Sequence, residues 1–146
     1  MECIIAALLF VIDRVLKYSI AHSKKTYQFL SFLQYKGTYN TGLALNFFYN
    51  NKFVFYLVII TFLLFLAWFI KTLYHHRQIA GIYLVFFGGL SNLIDRFWYG
   101  AVIDYIEINT SSIPLPIFNI ADILIVVGIT MMICSAFKRD RRKIIG

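Results

Sequence analysis

The chain has 146 residues, of which 60% are hydrophobic, 18% aromatic and only 14% charged, and its formal net charge is +7. With a mean hydropathy of +0.73, it lies far outside the soluble range, and an all-α membrane protein is predicted. The basic residues collect at the ends of apolar segments, where they serve as topological anchors, so the positive charge does not point to nucleic acid.

Four apolar segments occur in chain order, at about residues 3–21, 53–70, 79–98 and 117–137. The second, FVFYLVIITFLLFLAWFI, is an uncharged run of the length that a helix needs to cross a bilayer of about 30 Å. The other three carry polar residues that a lipid-facing helix would not tolerate, so their polar faces are expected to point at one another. A four-helix transmembrane bundle follows, with residues 1–146 as one domain. No internal repeat, low-complexity tract or Gly/Ser linker divides it. Segment 3–21 lacks the basic start and cleavage site of a signal peptide and is read as a retained helix.

Lys138, Arg139, Arg141, Arg142 and Lys143 follow the last segment, and Lys71 and Arg77 flank the short turn, so both places are expected to be cytoplasmic. Both termini are then cytoplasmic. The long segment around residues 22–52 falls outside despite Lys24, Lys25, Lys36 and Lys52, because basic residues in long loops weigh less. Residues 25–51 and 102–116 break the helical pattern and are expected to supply short strands, a small β-rich cradle at the outer surface.

Four of the seven acidic residues, Asp13, Asp95, Asp104 and Asp122, lie inside or beside these apolar segments. A carboxylate in hydrocarbon costs roughly 2.5 kcal/mol or more, so such residues mark cavities or chemistry. Asp13 and Lys17 are four apart, a favourable intrahelical ion pair. Gly88, Gly89, Asn92, Asp95 and Arg96 are expected to share one helical face by three-and-four spacing, and Arg96 is the basic residue expected near Asp95. In PIFNIAD, Asn119 is the expected N-cap and Asp122 the third helical residue, an acidic capping box. Asp104 changes the meaning of that cap. The topology returns it to the interface that holds Asp122, supplying the carboxylate pair of an aspartic protease, in which one proton is shared. Asp122, near a positive helix end, is cast as the base, and Asp104 as the protonated partner.

Three histidines at 22, 75 and 76 offer no metal-ligand spacing, so neither a catalytic metal nor another cofactor is expected. Cys3 and Cys134 both fall near cytoplasmic helix ends and read as packing residues. A rival reading is a small proton- or ion-coupled transporter or lipid-binding scaffold. Against it stand the missing inverted repeat and the gathering of acids at one interface.

The blocks DRVLK (13–17), NTGLAL (40–45), GGLSNLIDRFWYGAVIDY (88–105) and FNIAD (118–122) resemble the signal peptidase II family of bacterial inner-membrane aspartic proteases over nearly the whole chain. The last two blocks carry most of that specificity. The resemblance implies four transmembrane helices, cytoplasmic termini and a β-rich cradle at the outer leaflet. It makes Asp104 and Asp122 the catalytic dyad, Asn40, Asn92, Arg96 and Asn119 polar residues of the site, and Asp13, Lys17 and Asp95 its supports, with Gly42 the glycine of the second block. The implied substrate is a diacylglyceryl-modified prolipoprotein within membrane lipid, cut just before its lipidated cysteine, and globomycin-type inhibition is expected. Leu45 and Tyr105 depart from the pattern, since phenylalanine is common at both. Each keeps an apolar body, so the departures bear on the fit of the substrate.

Overall fold

In the computed structural model, residues 2–22, 27–30, 33–41, 52–75, 81–108 and 115–145 are described. Among the described residues, four helices, α1 (Glu2–His22), α2 (Lys52–His75), α3 (Ile82–Tyr99) and α4 (Ile120–Ile145), and three strands, β1 (Tyr27–Leu30), β2 (Leu33–Asn40) and β3 (Val102–Ile108), follow in the order α1-β1-β2-α2-α3-β3-α4. Each helix falls on one of the four predicted segments. Apolar run length sets α2, while α4 continues beyond its apolar part through the basic run to Ile145.

The strands form an antiparallel sheet in the order β1-β2-β3. Tyr27 pairs with Tyr35 in the first ladder; in the second, Thr38 pairs with Asp104 and Asn40 with Val102, with a register shift between Tyr35 and Thr38. β3 is also tied to the residue that leads into α4. Tyr105 N and Ile106 N both donate to Phe118 O, at 3.0 and 2.8 Å, and Phe118 N returns a bond to Ile106 O at 3.1 Å. Ile20 of α1 and Ile103 and Tyr105 of β3 form the cluster that seats the sheet on the helices, with Leu16, Tyr35 and Ile120 against it.

α3 is the central element and packs most extensively on α4, then on α1 and α2. Gly88 permits the close crossing with α4, since a Cβ there would stand 2.6 Å from the Ala121 carbonyl oxygen and 2.9 Å from Ile125. Gly81 opens α3 at φ 92°, a left-handed conformation in which a side chain is strained. The predicted shared face of α3 is in fact distributed around the helix. Gly88 meets α4, whereas Gly89 meets Phe62 of α2.

Burial is inverted relative to a soluble protein. Asp13, Lys17, Asp95 and Asn119 are fully buried, while Leu8, Leu64, Val126 and Trp98 stand exposed, Trp98 at 76%. A surface of large apolar side chains around a charged interior suits hydrocarbon and not water as the surrounding solvent. Among the described residues, no helix is long and apolar enough to cross a membrane. For α1 and α3 the reason is visible: Asp13, Arg14 and Lys17 interrupt the first, and Asp95 and Arg96 the second.

Candidate active site

Asp122 lies in the first turn of α4, where the predicted capping box forms in full. Its backbone N donates to Asn119 Oδ1 at 2.8 Å, and its Oδ2 accepts from Asn119 N at 3.1 Å. The Asn119 side chain thus satisfies one helix donor that would otherwise be orphaned, and the Asp122 carboxylate satisfies the Asn119 N–H in return. The remaining oxygen, Oδ1, accepts from Asn92 Nδ2 of α3 at 2.8 Å.

Asp104 arrives from β3. Its Oδ1 accepts from Asn119 Nδ2 at 2.7 Å and its Oδ2 from Asn40 Nδ2 of β2 at 2.9 Å. Asn119 therefore serves both carboxylates, Asp122 through its backbone N–H and Asp104 through its side-chain amide, and that side-chain amide also reaches Asn92 Oδ1 and the Ile103 carbonyl, each at 3.3 Å. The two acids arrive from different elements and are held by amides, with no ion pair on either among the described residues. Burial pushes the Asp104 carboxyl above the ordinary carboxylate range, and the Asp122 charge adds to it, against the lowering effect of the Asn40 and Asn119 amides and of Lys17.

Behind this pair lies a second, cation-rich layer. Lys17 Nζ contacts Asp13 Oδ2 at 3.1 Å, the predicted four-residue pair, and also Asp95 Oδ2 at 2.8 Å. It further donates to Asn92 Oδ1 at 2.7 Å, and this fixes the amide so that its NH2 faces Asp122. Arg14 completes the pairing with Asp95 at 2.5 Å. Arg96, the basic residue expected near Asp95, lies within electrostatic reach of it but makes no ion pair with it among the described residues. Adjacent residues on a helix diverge by about 100°, so Asp95 turns to α1 while Arg96 turns elsewhere.

Arg96 lines an apolar cavity of about 490 Å³ between α2, α3 and α4, with Leu57, Phe62, Phe65, Val85, Leu93 and Ile125 as walls and Asn92 at its polar end. It lies within electrostatic reach of Asp122, Asp104 and Asp95. All the site residues named from the sequence therefore gather here except Gly42, which, like Leu45, lies outside the described residues. Among the described residues, no three His, Cys, Asp or Glu side chains gather to hold a metal ion.

Three participants were missing from the sequence reading. Arg14 and Ser91 had a usable signal, since each lies at helical spacing from a named residue, Lys17 and Asp95 respectively. Ser91 Oγ donates to Asp13 Oδ2 at 2.6 Å. Tyr105 gave only its departure from the family pattern, and its structural meaning differs from the expected one. The side chain is 1% exposed, with its hydroxyl donating to Asp13 Oδ1 at 2.7 Å, so it bears on internal anchoring and not on substrate fit.

A helical bundle that is apolar outside and charged inside, with two carboxylates meeting where a small sheet joins the last helix, defines a membrane hydrolase of the aspartic class. The family model described as "Signal peptidase (SPase) II" matches residues 5–138, and the chain belongs to this family. Lipoprotein signal peptidases of Staphylococcus aureus and Alteromonas mediterranea are 33% and 28% identical to it, over 96% and 95% of this chain and 90% and 81% of theirs. Two solved structures titled as bacterial membrane enzymes superpose with TM-scores of 0.79 and 0.77. They are 31% and 29% identical, covering 97% and 94% of this chain and 90% and 92% of theirs. The chain is thus a bacterial membrane protease of lipoprotein processing.

Proposed function

We propose that Asp104 and Asp122 are the catalytic dyad that removes the signal peptide from a diacylglyceryl-modified prolipoprotein just before its lipidated cysteine. The observation that carries this reading is that Asn119 donates to both carboxylates, through its side-chain amide to Asp104 of β3 and through its backbone N–H to Asp122 of α4. Asp122 deprotonates a water that attacks the scissile carbonyl. Asp104, whose carboxyl burial pushes above the ordinary carboxylate range, is cast as the protonated partner that polarises that carbonyl and then helps to deliver a proton to the leaving amine. Asn40, Asn92 and Asn119 hold the two acids in register, and Arg96 is the candidate to hold a backbone or lipid oxygen of the substrate. The apolar cavity beside Asn92 and Arg96 takes part of the lipid or signal segment, so that the membrane orients the substrate before chemistry.

In this reading residues 1–146 are one domain of the bacterial inner membrane and all four helices cross it. The termini are cytoplasmic, and the sheet lies at the outer leaflet. α1 and α3 tolerate their charges because those charges are paired inside the bundle. The aromatic cluster Phe97, Trp98 and Tyr99 stands exposed beside β3, as side chains do at a headgroup boundary.

The test is cleavage of a lipidated prolipoprotein peptide by the purified protein in detergent. Asp104→Asn and Asp122→Asn are each expected to lower kcat by roughly a hundred- to ten-thousandfold with the bundle still folded. Full activity in either variant would sink the dyad. Inhibition by a globomycin-type compound is expected in the same assay.

A further inference from the structure

Tyr105 occupies a position that the proposed mechanism does not use, yet its hydroxyl is among the most deeply buried polar groups of the protein. It donates to Asp13 Oδ1 at 2.7 Å and accepts from Ile120 N at 3.2 Å. Ile120 is the first residue of α4, two before Asp122, and Tyr105 itself follows Asp104 in β3. The rigid phenol ring therefore spans from one acid-bearing element to the other. Asp13 anchors its far end and also accepts from Ala121 N at 3.3 Å. Burial, and after it the Asp13 charge, pushes the phenol well above its ordinary pKa, so it remains a donor.

We infer that Tyr105 is a positioning residue, whose hydroxyl braces the first turn of α4 against β3 and so fixes the separation of Asp104 and Asp122. The inference rests on the dyad reading given above. Physically, the helix N-terminus has donors with no intrahelical partner, and Ile120 N–H is one of them. The Tyr105 oxygen meets that donor, and its own proton is held by a buried carboxylate. Because Asp13 is in turn fixed by Lys17 and Ser91, the brace ends on a rigid point. A phenylalanine, the residue common here in the family, would fill the same space and leave the bond unmade, so the brace is particular to this chain.

The bond can be removed from either end. Tyr105→Phe deletes the acceptor; Ile120→Pro deletes the donor at a helix position where proline is favoured. In the full chain, with the lipidated prolipoprotein peptide as substrate, kcat is expected to fall about ten- to a hundredfold in both variants, as small misplacements of reacting groups do. KM is expected to change less than about twofold, since the bond is remote from the substrate.

The groups facing Asp104 are Asp122 from α4, Lys17 from α1 and Arg96 from α3. As Asp122 recedes, its charge raises Asp104 less, so the basic limb of the kcat/KM profile is expected to move to lower pH. A stability role alone would lower the melting temperature and leave that limb and the kcat of folded enzyme unmoved. Wild-type kcat and pH profile in either folded variant would overturn the inference, as would failure of both to fold, which would make the bond a requirement of the fold and not of dyad geometry. Asp104→Asn runs alongside as a control. If it stays active the dyad reading fails; if it is dead while Tyr105→Phe is unchanged, only the brace fails.

Discussion

The protein contains two pairs of buried aspartates that use opposite means of living in an apolar bundle. Asp13 and Asp95 sit in the α1–α3 layer against Lys17 and Arg14, with all of their oxygens engaged by cations, hydroxyls or backbone N–H groups. Asp104 and Asp122 sit where β3 meets α4 and, among the described residues, receive amide N–H donors in place of cations. A cation would hold both of the latter in the charged form. Neutral amides orient them and favour the charged form less than a cation would, which leaves a proton free to be shared. The paired layer supplies rigidity and the amide-held layer supplies chemistry, and Asn92 joins them by accepting from Lys17 and donating to Asp122.

This division can be broken most severely at the dyad, where either Asp→Asn change is expected to abolish cleavage but leave folding intact. Lys17→Met should act first on the fold. It leaves Asp13 and Asp95 short of their shared cation, and breaking a buried pair in this way costs about 3–5 kcal/mol, read as a lower unfolding midpoint in detergent. A variant that kept wild-type stability would mean that Lys17 serves the site and not the bundle.

Gly88→Ala tests whether the two layers depend on one crossing. The added methyl meets the Ala121 backbone at the start of α4, so a loss of about 1–3 kcal/mol is expected, as for other overpacked sites. Activity should fall as well, because Asn92 on α3 and Asp122 on α4 are pushed apart. Unchanged stability and activity would show that the crossing has slack.

The mildest change, Asn40→Ala, sharpens the comparison further. The Asn40 amide lowers the Asp104 pKa by bonding its charged form, so removing it should raise that pKa. Asp104 would then stay protonated to higher pH, and the basic limb of kcat/KM should move up by less than about one pH unit. Movement downward would contradict the casting of Asp104 as the protonated partner. The direction is opposite to that expected for Tyr105→Phe, so the two variants separate the amide's effect from the brace's.

Much of this site was legible in the chain because the interactions are local. The Asn119–Asp122 capping box spans three residues and the Asp13–Lys17 pair spans one helical turn, so spacing alone specifies them. The positions of all four helices followed from apolar runs, and the strands from the breaks between those runs. The pairing of Asp95 was not legible. Its neighbour Arg96 looked like the natural cation, but helical geometry sends the two side chains to different neighbours, and Arg14 comes from 81 positions away.

Sequence by itself therefore determined which elements exist, which carboxylates must be sheltered, and the local cap that orients Asp122. Tertiary structure alone decided that Arg14 and Lys17 shelter Asp95, that the Asn119 side chain reaches Asp104, and that the Tyr105 hydroxyl closes on α4. Each of these contacts joins elements distant in the chain, and a contact of that kind depends on how helices and sheet cross, which no residue spacing encodes.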